Sequence, residues 1–83
     1  ISGNCYGITK YKNNFISIDQ SRGIFEFNKN FKILRSKKLP KYSRAHGVSY
    51  SDDRKELYVV CSYLDAVLVL NEKFSLKKRM LNE

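Results

Sequence analysis

The sequence predicts an all-β chain of two four-stranded antiparallel units, and three observations carry that prediction. The segment "FISIDQSRGIFEFNKNFKI" at 15–33 returns as "YVVCSYLDAVLVLNEKFSL" at 58–76, an offset of 43. The apolar runs are short, rich in β-branched and aromatic residues, and bounded by turn residues. No stretch holds a 3.6-residue apolar period, so helix is not expected.

The elements follow in order. In the first unit, residues 1–44, strands are expected at 6–11, 14–19, 23–28 and 31–37. In the second, residues 45–83, they are expected at 46–51, 56–62, 66–71 and 74–80. "GIFEF" and "AVLVL" are the clearest strands. "NKN" and "NEK" close hairpins, with Asn supplying the turn geometry. Pro40 falls between the units, where it interrupts no ladder. At offset 43, Phe15 matches Tyr58, Ile16 matches Val59, Ile18 matches Cys61, Asn28 matches Asn71 and Phe31 matches Phe74. Upstream, "YGIT" at 6–9 matches "HGVS" at 46–49 with an offset of 40. That reading places all three extra residues in the first turn of the second unit, where "KNN" expands to "SDDRKE".

Four short strands in about 40 residues is the repeat of a β-propeller blade. "FISI" and "LYVV" lack polar alternation, as expected when both sheet faces are covered by neighbouring blades. Two blades alone would leave two apolar faces in water. A propeller ring needs about four to eight blades. Copies of the chain are therefore expected to close a ring head to tail, with a trimer of six blades favoured over a dimer or a tetramer. The alternative is that the chain is a fragment of a longer propeller protein. Ile1 stands where an initiating Met would, which is compatible with residues upstream.

The second unit, "AHGVSYSDDRKELYVVCSYLDAVLVLN", resembles the YVTN type of propeller repeat in its His-Gly-Val, Ser-x-Asp turn and Leu-Tyr-Val segments. The first, "YGITKYKNNFISIDQSRGIFEFNKNFKIL", resembles the NHL repeat through Asp19, the turn "QS" and Arg22 before an apolar strand. The resemblance implies fold far more than function. NHL-type propellers in some RNA-binding proteins use a basic face, which brings single-stranded RNA forward as a ligand.

Charge gives the functional lead. Sixteen Lys and Arg against eight Asp and Glu leave a net charge of +8. Residues 1–44 hold ten basic and two acidic side chains, whereas 45–83 hold six of each. Such asymmetry suits an anionic partner. The loop "SKKLPKYSR" brings Lys37, Lys38, Lys41 and Arg44, and Tyr42 among them offers a ring for stacking. Arg22 in the other loop of that ring face, and Lys77, Lys78 and Arg79 in the last strand, are expected to converge on it. The expected function is a non-enzymatic binding or scaffold module whose basic face holds RNA, an acidic glycan or an acidic protein. A solvated, solubilising loop is the plainer account of the same charges.

A second reading is a metal-dependent lyase or hydrolase. His46, the single histidine, opens the inner strand of the second blade, and three copies could approach the axis of a trimer. Three imidazoles with one open position suit zinc, and the resemblance extends to amidating lyases with metal-binding His-Gly segments. Strand capping by His46 is the plainer account. Without that site no cofactor is expected. Ser43, Ser49 and Asp19 do not assemble a triad with His46 by spacing. "SDDRK" lacks the Gly and bidentate Glu of a calcium loop. Enzymatic function is therefore the lesser expectation. Cys5 and Cys61 do not form a disulfide framework, and the count leans toward a reducing, cytoplasmic compartment. No run approaches the length needed to span a membrane as a helix.

Overall fold

The computed structural model describes residues 5–19, 22–40, 44–61 and 66–81, and these form eight strands and no helix. The strands are β1 (Cys5–Tyr11), β2 (Asn14–Asp19), β3 (Gly23–Phe27), β4 (Ile33–Lys37), β5 (Ala45–Ser51), β6 (Glu56–Cys61), β7 (Ala66–Asn71) and β8 (Leu76–Leu81). They make two antiparallel four-stranded sheets, ordered β1-β2-β3-β4 and β5-β6-β7-β8. Each sheet is a meander of hairpins, and the two stack face to face as propeller-like blades.

The outer strands β4 and β8 begin two residues later than the pattern predicts. The reason is the turn before them. Asn28 and Asn71 each accept two backbone N–H bonds on Oδ1, from Asn30 and Lys32 in one blade (2.9 and 3.1 Å) and from Lys73 and Ser75 in the other (2.9 and 3.0 Å). Phe31 and Phe74 then take left-handed backbones, with φ of 64° and 65°. An aromatic residue at positive φ is uncommon and breaks the strand there. The two residues identical between segments 15–33 and 58–76 are thus the two that build this turn.

The strand registers shift the sequence alignment in one place. Phe15 pairs with Phe27, and Leu57 pairs with Leu70. Since Phe27 and Leu70 are equivalent, Phe15 corresponds to Leu57, not to Tyr58. Ser17 likewise corresponds to Val59, and Asp19 to Cys61. The offset runs 40 in the first strand, 42 in the second and 43 from the third onward, so one inserted residue lies between β6 and β7. In a strand a slip of one residue exchanges the faces, and apolarity on both faces of β6 hid the slip from the sequence.

The core lies between the sheets. Tyr11, Ile16, Ile18 and Ile24 of the first blade meet Ala45, Leu57, Val59, Cys61, Leu68, Leu70 and Phe74 of the second. The blades approach through β1, β2 and β5 and splay toward β4 and β8. Both inner strands carry a one-residue bulge at the same place, between Cys5 and Ile8 and between Ala45 and Gly47. The inner strands pass closely there. A Cβ added to Gly7, whose φ is +151°, would stand 3.4 Å from the Gly47 Cα.

The far faces of the pair are less bare than the sequence suggests. On the first blade's far face Phe25 and Phe27 are buried within one copy, as is Val69 on the second. Arg22 lies over the Phe25 ring, while Phe15 and Phe31 flank Phe27. What remains exposed is the rim: Ile8, Phe31 and Ile33 on one side, Val60 and Met80 on the other.

Candidate functional site

The hairpin return between β2 and β3 and the exit from β4 meet at one end of the first sheet. Gly23 makes this contact fit. Its φ is +85°, and a Cβ there would land on the Lys37 carbonyl oxygen, with the Lys38 Cα at 2.8 Å. Arg22, Lys37 and Lys38 are gathered by that backbone contact, and all three are exposed. Arg44, also exposed, enters β5 where Ala45 pairs with Cys61. The close pass of Gly7 and Gly47 aligns the two inner strands, so Arg44 lies at the same end of its own blade.

Asp19 shapes this end. Its carboxylate accepts the Arg22 backbone N–H and, at 2.9 Å, the Arg22 Nη1. The carboxylate side chain is 3% exposed and the guanidinium 42%. The Asp-x-x-Arg pattern is therefore a clamp across the hairpin. It holds one face of Arg22 against the protein and leaves the rest of the guanidinium toward water. Lys37 has no ion pair among the described residues.

Lys41 and Tyr42 lie outside the described residues, as does Ser43. The cations of β8 do not join the basic end. Lys77 pairs with Glu56 near the opposite turns. Lys78 stands opposite Val69 and Arg79 opposite Leu68, on opposite faces of β8. Only the last residue of that strand, Leu81, reaches the level of Ala66. The expected convergence of Lys77, Lys78 and Arg79 with the loop is corrected on that ground.

His46 is the bulged residue of β5 and is exposed on the inner strand. Among the described residues, no three His, Cys, Asp or Glu side chains gather as a metal set within one copy. Ser49 is exposed on β5, and Asp19 is committed to Arg22.

The sequence did not reveal how the opposite end is organised. There Arg35 donates from Nε to Glu26 at 2.6 Å and from Nη1 to the Glu72 carbonyl at 2.6 Å. Its guanidinium lies 3.9 Å over the Phe74 ring. Tyr50 donates its hydroxyl to Glu72 at 2.6 Å, and Lys12 stands 3.6 Å from the same carboxylate. The Tyr50 hydrogen bond, with help from Lys12, holds the Glu72 carboxyl below its ordinary range and pushes the Tyr50 phenol up. Lys77 and Tyr58 lower Glu56 in the same manner. Glu26 buried in "GIFEF" was the available signal, since a buried acid demands a partner.

The described residues thus form a pair of propeller-like blades with Arg22, Lys37, Lys38 and Arg44 at one end and the ion pairs of Lys12, Arg35 and Lys77 at the other. No family model matches it, and no curated protein matches it. Among solved structures it is similar to Kluyveromyces lactis Hsv2 with complete loop 6CD, at a TM-score of 0.68 and 13% identity over 98% of this chain. The chain spans 25% of the length of that structure's chain. At such identity the likeness shows the fold alone.

Proposed function

We propose that the protein is a non-enzymatic binding module, a set of propeller blades whose basic end holds a polyanion. The observation that carries this reading is the gathering of Arg22, Lys37 and Lys38 by the backbone contact at Gly23. At the turn end, Lys12, Arg35, Lys55 and Lys77 each have an acid partner in Glu72, Glu26, Asp52 and Glu56, while Lys29, Lys32, Arg54 and Lys73 are exposed. At the loop end, Asp19 is the one acid among the described residues, against Arg22, Lys37, Lys38 and Arg44. Arg22, Lys37, Lys38 and Arg44 outnumber that acid, so the loop end carries an excess of positive charge. Lysines and arginines in that state attract phosphate or sulfate and release its counterions on binding. Single-stranded RNA is the first ligand to try, with Tyr42 as a stacking ring and Lys41 beside it. Association of copies into a ring, six blades in a trimer, would repeat this end around one mouth.

Filter binding to a poly-U strand and to heparin at two salt concentrations tests the reading. Lys37→Glu with Lys38→Glu should weaken binding by on the order of tenfold or more and flatten its salt dependence. Binding that ignores both salt and these reversals would refute it.

A second reading has its own support: the chain is part of a longer propeller. In the Hsv2 structure the matched sheets belong to a single chain four times as long. Basic-end binding would survive in either architecture.

A further inference from the structure

The contact between the two blades is a pattern that the chain can use again. Residues of equivalent strand register identify what each far face would bring to such a contact. In the existing contact, Phe74 at the turn of the second blade is 3% exposed beneath Arg35, which stands opposite Glu26 on β4 of the first. Phe31 occupies the same turn of the first blade, with the same backbone and the same Asn clamp. Its ring is 68% exposed. The residue of β8 equivalent to Arg35 is Lys78, since Lys78 stands opposite Val69 as Arg35 does opposite Glu26. Lys78 is exposed and has no ion pair among the described residues.

Three further positions agree. Thr9 accepts the Tyr50 N–H on its Oγ1 at 3.1 Å across the existing contact. Its equivalent on the far face is Ser49, an exposed hydroxyl. Lys12 meets Glu72 across the contact. The equivalent turn of the second blade begins with Asp52 and Asp53, and the equivalent of Glu72 is Lys29. Both signs are reversed, so complementarity is kept. Apolar rims remain as well, Val60 and Met80 facing Ile8 and Ile33.

We infer that a second copy of this chain docks its second blade on the first blade of its neighbour, with Lys78 seated over Phe31 and the Asp52–Asp53 turn beside Lys29. This rests on the reading of a self-associating ring and names its contact. Because Phe25 and Phe27 are already covered within one copy, the contact centres on the rim around the β3–β4 turn. A cation over an aromatic ring contributes more once water is excluded, and a reversed-sign pair selects this partner over a like-charged one. The matching of sign at both positions is what points to a second copy as the occupant.

Two measurements on the purified chain test it. The first is solution mass by light scattering over a concentration series, for the wild type and for Lys78→Glu. Lys78 is exposed, so the reversal leaves the blade folded. The expected outcome is an assembly larger than one chain whose dissociation constant rises at least tenfold in the variant. The second mixes Phe31→Cys chains with Lys78→Cys chains under mild oxidation. A disulfide-linked pair should form in the mixture and not in either variant alone. Assembly that is indifferent to Lys78→Glu and gives no 31–78 link overturns the contact while leaving a ring intact. A wild type that remains one chain at every concentration overturns both, and leaves the longer-propeller reading.

Discussion

Phe31 and Phe74 share a residue type, a hydrogen-bonded turn and a left-handed backbone, yet one ring is open to water and the other lies beneath a guanidinium. The two blades differ in the same way at other equivalent positions. Val59 and Cys61 face the core, whereas Ser17 and Asp19 in their places serve the first blade's own backbone. Ser17 donates to the Gly7 carbonyl at the bulge, and Asp19 clamps Arg22. Local geometry is set by the repeat. Energetic worth is set by whether a neighbouring sheet covers the position.

The largest expected effect tests that statement directly. Within a single copy, Phe74→Ala should cost about 3–4 kcal/mol by opening a cavity under Arg35. Phe31→Ala should cost under about 1 kcal/mol, since its ring is mostly wet. Urea unfolding of both variants at low concentration reads the difference. Equal losses would break the comparison.

Next is the pair Gly23 and Ala66, which close equivalent hairpins. Gly23→Ala should destabilise by roughly 3 kcal/mol, combining a strained positive φ with a clash against the Lys37 and Lys38 backbone. Ala66→Gly should cost only about 1 kcal/mol, through chain entropy and a lost methyl. Thermal unfolding of the two variants would show it. The contrast arises because the first blade returns with one residue fewer, which forces glycine geometry.

Asn28→Ala and Asn71→Ala should each lose about 1–2 kcal/mol, and by similar amounts, because each Oδ1 satisfies two backbone donors. Chemical unfolding checks this. Unequal losses would mean that burial of the following Phe reaches into the turn itself.

The smallest effect is acid sensitivity. Glu72 has its carboxyl lowered from 4.5 by the Tyr50 hydroxyl. Its contribution is therefore full above that ordinary value and fades as pH falls through the lowered one. The thermal midpoint of the wild type should fall more steeply below pH 4.5 than that of Glu72→Gln. Glu56, lowered by Lys77, supplies a slope common to both. Parallel curves would assign the acid response to Glu56 alone.

Much of this architecture was legible in the residues. The repeated Asn-x-x-Phe fixed the outer hairpins, and the short β-branched runs fixed all eight strands to within two residues. Face assignment in β6 was not legible, because "LYVVC" is apolar on both sides and offers no alternation to read. The loop cations Lys37, Lys38 and Arg44 were legible from charge density. Lys77, Lys78 and Arg79 were not, since adjacency in a strand sends neighbours to opposite faces. The network around Glu72 joins residues up to 60 positions apart, and only the stacking of the sheets creates it.

The close pass of Gly7 and Gly47 sets how near the two inner strands come. Where two sheets meet glycine to glycine, the wedge between them is steep. A side chain at Gly7 would press on the Gly47 backbone and pry the inner strands apart, whereas one at Gly47 would meet only Val60 in ordinary contact. The narrow side of the wedge is thus held by one missing methyl group, at Gly7.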